Sequence, residues 1–321
     1  MKNLDVFTFG ETMILFQPEQ MMSLEYVHHF PKRIGGAESN VAIGLSRLGH
    51  SVGWFSKLGD DPFGRYIQKY VRGEGVDTSS CLYTNKAPTG LIFKEQLSPE
   101  DMNVYYYRKN SAASLMEPED LDEDSIAQAK ILHISGITPA LSESCYHTVM
   151  RAIEIAKQNG TMIVFDPNLR LKLWTAEKAK QVFNEIAANA DVILPGLDEG
   201  QLMTGKSNVE EVAEALLGES DKTIIIKLGD KGAYVHTKDE KAYIEGFPVK
   251  QIVDPVGAGD GFAAGIISGI LRKEPLSTVV RRANAVGAIV VGVSGDVEGL
   301  PTFDAVEQFM KPAGDARDVK R

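Results

Sequence analysis

Residues 254–265 read DPVGAGDGFAAG, and this stretch says more about the fold than any other part of the chain. It follows a short run of β-type residues, 250–253, and leads into an apolar run that predicts a helix. The small residues Gly257, Ala258 and Gly259 allow backbone N–H groups to crowd together where that helix begins. Free N–H donors at the positive end of a helix dipole predict an anion-binding site.

Asp260 places a carboxylate in this helix start, where a bound phosphate would repel it. An acid beside an anion site is explained if it takes a proton from the group that attacks the phosphate. The alternative is a Gly-rich helix entry in which Asp260 only complements the helix dipole. The rest of the chain has to decide between these two interpretations.

Length and charge limit the possible functions. The chain has 321 residues, which suits one large α/β domain or two smaller ones, and its apolar fraction of 43% predicts a substantial core. The net charge of -10 argues against nucleic acid or an anionic membrane as the main partner. The first residues lack the apolar core of a signal peptide, and no apolar run has the length of a membrane span. We therefore expect a cytoplasmic protein that binds a small molecule.

Strand and helix patterns alternate through much of the chain. Predicted strands are 6–9, 52–58, 131–134, 162–165, 192–194 and 223–226, and predicted helices are 40–48, 62–72, 143–158, 176–189 and 209–217. Such alternation predicts a mainly parallel sheet with helices on both faces. Ligands of such sheets bind beyond the carboxyl ends of the strands.

Two segments, at about 12–33 and 89–108, break this alternation. Both look like extended strands with no predicted helix between the paired strands. Within the second, apolar runs flank a polar turn at 98–101, which predicts a hairpin outside the main sheet. We expect one domain over residues 1–311 with these segments inserted. Residues 312–321 are predicted to form a polar tail that frays.

Two loose nucleotide-binding patterns need separate interpretations. Residues 259–264 fit G-x-G-x-x-A, but they lie late in the chain and lack the acid expected about 20 residues later in a dinucleotide site. Residues 200–207, GQLMTGKS, match the P-loop pattern, so a P-loop NTPase is one alternative function.

The interior of the P-loop match suits a packed helix better than a phosphate loop. Leu202 and Met203 are apolar, and the preceding acids at 198–199 would repel phosphate. We expect instead a short helix from about residue 198 that ends at Gly205. A second helix would then be capped by Ser207 or Asn208.

Residues 35–42, GGAESNVA, form a second Gly-rich entry into a helix. Together with residues 254–260, they resemble the two signatures of the ribokinase-like (PfkB) family of carbohydrate kinases. The resemblance covers nearly the whole chain and implies a ribokinase-like three-layer α/β/α fold, with a mainly parallel sheet and a small β-sheet lid. The two extended segments would form this lid, which would close over the sugar and exclude water. In this family the lid often pairs with another lid, so the resemblance implies a homo-oligomer, as a dimer through the lid.

The resemblance also implies roles for individual residues. Asp260 would be the general base, and residues 257–259 would donate hydrogen bonds to the γ-phosphoryl group of ATP. The residues implied on the nucleotide side are Asn168, Lys227, Gly229, Gly232 and Asn284. Glu199 would organise Mg²⁺ through water, as the acid of an N-x-x-E element in which Gly196 replaces the usual Asn. A monovalent cation is a further option that the resemblance leaves open.

Residues 104–108, VYYYR, carry the clue to the substrate. In a strand, Tyr106 and Arg108 share one face, where they would offer a hydroxyl and a bidentate cation to a carboxylate or a vicinal oxygen pair. The alternative is aromatic packing in the lid with Arg108 in solvent. This run, with residues 133–141 and Glu11, resembles the 2-keto-3-deoxygluconate kinases of the family. That resemblance implies sugar-acid contacts from Gly36, Ala37, Asn40, Tyr106, Arg108, Arg170, Asp260 and Asp296.

The sequence thus predicts an ATP-dependent kinase that phosphorylates the terminal primary hydroxyl of 2-keto-3-deoxygluconate. Fructokinase is the alternative within the family, because it shares most of these motifs. Ile92 stands where some sugar-acid kinases carry a lid Tyr. Outside the family, the alternatives are the P-loop NTPase and a non-catalytic sugar-binding protein.

Overall fold

The computed structural model describes residues 4–98 and 101–311. Its strands are β1 (Val6–Phe9), β2 (Met13–Phe16), β3 (Lys32–Gly35), β4 (Val52–Phe55), β5 (Lys57–Gly59), β6 (Leu82–Thr84), β7 (Leu91–Gln96), β8 (Met102–Tyr107), β9 (Ile131–Ser135), β10 (Met162–Asp166), β11 (Val192–Ile193), β12 (Thr223–Lys227), β13 (Ala233–His236) and β14 (Lys241–Ile244). Its helices are α1 (Ala37–Arg47), α2 (Pro62–Gly73), α3 (Glu123–Gln128), α4 (Glu143–Asn159), α5 (Ala176–Asn189), α6 (Leu197–Thr204), α7 (Val209–Leu217), α8 (Ala258–Leu271), α9 (Leu276–Val290) and α10 (Phe303–Met310). No helix in this part of the chain combines the length and apolar character needed to cross a membrane.

The main sheet has the strand order β14-β13-β12-β11-β10-β9-β1-β4 within the described residues. In this sheet order, each neighbouring pair from β12 to β4 is parallel. Strands β13 and β14 add an antiparallel edge. Alternate residues of each strand enter cores on opposite faces: in β10, Val164 joins one apolar cluster, and Ile163 and Phe165 join the other. Helices cover both faces, so the predicted three-layer α/β/α architecture is confirmed.

A second, four-stranded sheet has the order β3-β2-β7-β8 among the described residues and forms the predicted lid. Strands β7 and β8 make the expected hairpin, although β2 pairs with β7 in parallel. Residues 99–100 of the predicted turn, and the predicted tail at 312–321, lie outside the described residues. The lid core is small, because Met13, Leu15 and Ile92 are its buried apolar residues in the described part of the chain.

Local signals explain most helix ends. Asp61 accepts hydrogen bonds from the backbone N–H groups of Phe63 and Gly64, so it caps α2. Helix α6 ends at Gly205 with a left-handed φ of 76°, and Asn208 caps α7. Residues 200–207 therefore form a helix end and a helix start, as expected, with Asn208 rather than Ser207 as the cap.

One strand prediction was wrong, and one run of β-type residues forms no strand. The run 52–58 is divided at Ser56, because β4 stays in the main sheet while β5 pairs with β6. The run 250–253 forms no strand, and Ile252 is 62% exposed. Residues with high β-propensity need a partner strand, and the chain provides none at this position among the described residues.

Candidate active site

A cavity of about 300 Å³ lies between the lid and the carboxyl edge of the main sheet. Residues that follow β1, β10 and β12 line its floor, and lid strands β7 and β8 line its opposite wall. Thirteen residues predicted for the site line this cavity: Gly36, Ala37, Asn40, Tyr106, Arg108, Asn168, Arg170, Glu199, Lys227, Gly257, Gly259, Asp260 and Asp296.

The start of α8 forms one wall of the cavity. Gly257 adopts a left-handed φ of 82°, and a Cβ there would lie 2.5 Å from the backbone oxygen of Asp296. Only glycine meets both demands, because other residues are strained at this φ and need that space. The first N–H groups of α8 have no intrahelical acceptor. That of Ala258, which lies outside the cavity lining, donates to the Pro255 carbonyl at 3.4 Å. Gly257 and Gly259 line the cavity and present their N–H groups and the positive helix end to it.

Asp260 is buried beside these donors. Asn40 donates a hydrogen bond from Nδ2 to Asp260 Oδ2 at 2.8 Å, and Asn168 donates one to Oδ1 at 3.3 Å. Burial raises the pKa of Asp260 to about 7, with the charges of Asp166 and Asp296 acting in the same direction, while Asn40 and Arg170 oppose the rise. A carboxyl group with this pKa can take up and release a proton near neutral pH.

Two cations face the carboxylates of the cavity. Lys227 Nζ lies 2.8 Å and 2.9 Å from the two carboxylate oxygens of Asp166, which joins the ends of β12 and β10. Burial acts to lower the pKa of Lys227, but the carboxylates of Asp166 and Glu199 raise it above its usual range. Arg170 is exposed and contacts no carboxylate among the described residues, since its Nη1 donates to the Leu169 carbonyl. Arg170 is thus free to bind an anion.

Glu199 uses both carboxylate oxygens on the backbone. Its Oε1 accepts from the N–H of Leu169 at 2.7 Å, and its Oε2 accepts from the N–H of Gly196 at 2.6 Å. These bonds fix the start of α6 against the loop after β10. In the described part of the chain, no three His, Cys, Asp or Glu residues cluster as metal ligands. This carboxylate therefore suits a hydrated ion approached through water.

The predicted nucleotide residues Gly229, Gly232 and Asn284 lie outside the lining of this cavity. Asn284 donates from Nδ2 to the carbonyls of Ile244 and Glu245, both at 3.1 Å, and so holds the chain after β14. At Gly232, φ is 97° and a Cβ would lie 2.1 Å from the Ile244 oxygen. The geometry therefore gives Asn284 and Gly232 structural tasks at the sheet edge.

A second cavity of about 560 Å³ adjoins the first on this side. Residues 196–199, Lys227, Leu228, Asp230 and Lys231 line it, and Glu199 and Lys227 also line the first cavity. The end of β12 and the residues after it, up to Lys231, thus form one wall of this cavity. The two cavities therefore adjoin at Glu199 and Lys227, beside the carboxyl ends of β11 and β12.

On the lid, Tyr106 and Arg108 face the cavity, while Tyr105 and Tyr107 are 44% and 67% exposed on the other face. Arg108 Nε donates to Glu11 Oε2 at 2.6 Å, and Nη2 lies 2.5 Å from the same oxygen. The Arg108 guanidinium also lies 5.6 Å from the centre of the Tyr106 ring. The cation is thus held in place by Glu11 instead of projecting into solvent.

The sequence analysis assigned no site role to Glu11, Asp166 or Lys94. The signal for Glu11 and Asp166 was their position at the carboxyl ends of β1 and β10. Lys94 lies in β7 and donates to Asp296 Oδ1 at 2.7 Å, a contact between residues 202 positions apart. Nothing in the local sequence around Lys94 indicates that contact.

Comparison with known proteins identifies this arrangement. The model of the "pfkB family carbohydrate kinase" matches residues 3–303. The chain is 41% identical to 2-dehydro-3-deoxygluconokinase of Bacillus subtilis over 96% of this chain and 95% of that protein. It is 33% identical to a 5-dehydro-2-deoxygluconokinase of Clostridium perfringens over 97% and 94% of the two chains. It is 35% identical to "Probable fructokinase-2" of Arabidopsis thaliana over 95% of both chains.

Solved structures agree with this result. The crystal structure of 2-dehydro-3-deoxygluconokinase from Thermotoga maritima is 27% identical, with a TM-score of 0.88 over 95% of this chain and 98% of that one. An E. coli protein provisionally named ribokinase II, solved with ATP and Mg²⁺, is 27% identical, with a TM-score of 0.89 over 95% and 98%. The fold, the Gly-rich start of α8 and the matched span lead to one conclusion: this chain belongs to the pfkB family of carbohydrate kinases.

Proposed function

We propose that this carbohydrate kinase transfers the γ-phosphoryl group of ATP to the terminal primary hydroxyl of 2-keto-3-deoxygluconate, the compound also called 2-dehydro-3-deoxygluconate. The observation that carries the proposal is the position of Asp260. Its buried carboxyl group, with a pKa of about 7, lies at the start of α8 beside the N–H donors of residues 257–259. A proton acceptor and an anion site thus adjoin within one cavity.

In the proposed reaction, Asp260 takes the proton from the sugar hydroxyl as its oxygen attacks the γ-phosphorus. The bond between that phosphorus and the bridging oxygen of ADP breaks, and ADP leaves. Residues 257–259 and Arg170 stabilise the charge on the transferring group. One preorganised donor of this kind contributes about 10²–10³-fold to turnover. Asn40 orients Asp260 through its 2.8 Å hydrogen bond.

We place ATP along the second cavity, with its γ-phosphoryl group directed at Asp260. Mg²⁺ would neutralise phosphate charge, and it usually keeps several waters while phosphates and one or two carboxylates hold it. Glu199 fits that role through water, because backbone N–H groups already occupy both its oxygens. A relative solved in complex with ATP and Mg²⁺ supports the choice of these two ligands. Nucleotide contacts from Asn168, Lys227, Gly229, Gly232 and Asn284, and a monovalent cation, stay predictions.

The proposed acceptor is a sugar acid because the lid wall carries a guanidinium. Arg108 is buried, and Glu11 holds it through Nε and Nη2. A carboxylate or vicinal oxygen pair of the substrate would bind beside Tyr106 and the remaining guanidinium edge. A neutral sugar has less need of this cation. The 41% identity to a 2-dehydro-3-deoxygluconokinase supports the same choice.

We also propose one domain over residues 1–311, a cytoplasmic location, and a homodimer formed through the lid. The outer face of the lid supports the dimer, because Tyr105 and Tyr107 are exposed there. A partner lid would cover these rings and add to a lid core that is small by itself.

The test is kcat/KM for ATP-dependent ADP release with five acceptors: 2-keto-3-deoxygluconate, 2-keto-3-deoxygalactonate, 5-dehydro-2-deoxygluconate, fructose and ribose. A preference for the first would support the proposal, and a preference for fructose would overturn the choice of acceptor. Replacing Arg108 by Leu should raise KM for the sugar acid by about tenfold or more, since a charge-assisted contact is lost, and should change fructose kinetics little. An unchanged KM for the sugar acid would remove Arg108 from the site.

A further inference from the structure

Lys94 connects the lid to the main body of the protein. It lies in lid strand β7, is 2% exposed, and directs its ammonium group out of the lid sheet. Its Nζ lies 2.7 Å from Asp296 Oδ1 and 3.2 Å from Asp254 Oδ2. Both carboxylates are buried, at 5% and 1% exposure. The cation is therefore enclosed between two acids that belong to the other side of the cavity.

The two acids belong to the segments that build the anion site. Asp254 Oδ1 accepts from the N–H of Val256 at 3.0 Å, which shapes the turn directly before Gly257. Asp254 Oδ2 accepts from the N–H of Gly295 at 3.4 Å, which joins this turn to the loop after α9. The backbone oxygen of Asp296 packs against Gly257 itself, 2.5 Å from where a Cβ would stand. Lys94 thus touches both segments that fix the start of α8.

The charge of Lys94 is needed in this arrangement. Burial acts to lower its pKa, but the carboxylates of Asp296 and Asp254 raise the pKa above its usual range. Without the ammonium, two buried carboxylates would face each other with no cation between them. Such an uncompensated arrangement is strongly unfavourable. The two loops would then move apart, or one of the carboxylates would take up a proton. In either case the start of α8 would lose the contact that fixes it.

Another lid strand, β3, contacts the same loop, but more weakly. Arg33 of β3 donates from Nη1 to Ser294 Oγ at 3.2 Å, and its Nε lies 3.5 Å from Glu298. This pair is partly exposed, so solvent screens it. Gly35 packs so closely that a Cβ there would lie 2.6 Å from Asp296 Oδ2. The lid thus touches the 294–298 loop at several points, of which the Lys94 pair is the most deeply buried.

We propose that Lys94 is a positioning residue that fastens the lid to the start of α8, so that enclosing the acceptor and assembling the phosphate donors happen together. It acts on the phosphoryl group through Asp254 and Asp296. This inference rests on the proposed function, because it takes the start of α8 as the site of phosphoryl transfer. It predicts that losing the ammonium affects use of the acceptor more than binding of ATP.

The first test compares Lys94→Met with Lys57→Met. Lys57 is the control, because it is also paired with a carboxylate, that of Asp120, but it is only partly buried and lies outside the cavity lining. We expect Lys94→Met to lower kcat/KM for the acceptor by about 10²-fold, the effect of losing a preorganised donor, and to change KM for ATP less than about threefold. Lys57→Met should change neither by more than about threefold. An acceptor kcat/KM for Lys94→Met within threefold of the wild type would overturn the proposal.

A second variant separates positioning from charge balance. The double change Lys94→Met with Asp254→Asn removes one cation and one anion, so it should recover most of any loss in Tm. If Lys94 positions the start of α8, acceptor kcat/KM stays low in the double variant although Tm recovers. If activity returns together with Tm, Lys94 only balances charge, and the proposal is wrong.

Hydrogen exchange tests the same link without any sugar. In Lys94→Met, backbone amides of β7 and of the turn 254–257 should exchange about tenfold faster than in the wild type, because both lose their common anchor. Amides of β9, which lies far from this contact in the main sheet, should not change. Unchanged exchange in β7 and the turn would overturn the link. Faster exchange without turnover of any tested acceptor would instead count against the proposed substrate and leave the link in place.

Discussion

Two Gly-rich segments of this chain match phosphate-binding patterns, and they have opposite positions relative to their helices. In residues 257–260, Gly257 precedes α8, so free N–H donors and the positive helix end face a cavity. In residues 200–207, the pattern covers the last turns of α6, and Gly205 ends that helix. Gly200 lies within α6, where a Cβ would lie 2.5 Å from Val212 Cγ1, so it serves the contact with α7. A glycine pattern predicts an anion site only when the glycines precede the helix.

The largest expected effect comes from Asp260→Asn. This change removes the proposed base and should lower kcat by about 10³-fold. The fold should survive, because Asn has nearly the same size and shape as Asp and can still form a hydrogen bond with Asn40 or Asn168. Circular dichroism and steady-state kinetics on the same sample check both statements. A fully active Asp260→Asn enzyme would show that Asp260 is not the base and that the start of α8 is not the site of phosphoryl transfer.

At high pH, the Asp260→Asn variant should be at least as stable as the wild type. The native pKa of Asp260 is raised to about 7 from a usual value of 3.8, so the native state favours its protonated form. That contribution is complete below about pH 4 and is lost as the pH rises through about 7. At pH 8 the wild type holds a buried carboxylate that Asn lacks, so the Tm of Asp260→Asn should equal or exceed that of the wild type. A clearly lower Tm would contradict the raised pKa.

Gly257→Ala should have the next largest effect. The new methyl group would meet the Asp296 oxygen and force an unfavourable φ, so the N–H donors would shift. We expect kcat/KM to fall by about 10²-fold, as for loss of a preorganised donor. Gly205→Ala is the matched control, because its φ is also left-handed but the space around it is open. Equal activity losses in the two variants would contradict the conclusion that the glycines at the start of α8 serve catalysis and those of the P-loop match do not.

The pH dependence tests the chemistry at α8 in the unmodified enzyme. Since Asp260 must be deprotonated to accept a proton, kcat/KM should rise with pH and level off above about 7. At pH 6 it should be about tenfold below that plateau, with Mg²⁺ in excess so that ATP stays in its metal complex. A profile that is flat between pH 5 and 8 would show that no group with this pKa acts as the base.

The smallest effects are expected in the P-loop match. Lys206 is exposed at the end of α6, so Lys206→Ala should change kcat and both KM values less than about twofold. Gly205→Ala should lower Tm by about 2 °C through its left-handed φ, at a cost of about 1 kcal/mol, without affecting turnover. Loss of activity in Lys206→Ala, with Asp260→Asn still active, would show that the P-loop match and not the start of α8 carries the chemistry.

The sequence predicted features that depend on near neighbours and left out those that depend on distant ones. The start of α8, the end of α6 at Gly205 and the face shared by Tyr106 and Arg108 follow from spacing of a few residues. The contacts of Lys94 with Asp254 and Asp296 join positions 160 and 202 residues apart, and Arg108 meets Glu11 97 residues away. No local pattern carries the identity of such partners.

The wrong predictions have the same origin. Residues 52–58 and 250–253 have β-type side chains, but their pairing is decided by neighbouring strands. The first run divides between two sheets, and the second has no strand beside it within the described residues. The backbone contacts of Asn284 were also missed, because its amide binds two carbonyls after β14 that lie about 40 residues away in the chain; its nucleotide contact stays a prediction.

The lid sheet and the start of helix α8 are separate structural elements, and this separation has an evolutionary consequence. The lid contributes Tyr106 and Arg108, at the end of β8, to the proposed acceptor contacts, whereas Asp260 and its neighbouring N–H donors lie at the start of α8, so changes to these two lid side chains need not disturb the proposed base. A lineage could change its nutrient by altering a few lid side chains while its catalytic apparatus stays the same. For an engineer, the inward positions of β8 are therefore the place to build a library for new acceptors, provided that Lys94 is left unchanged.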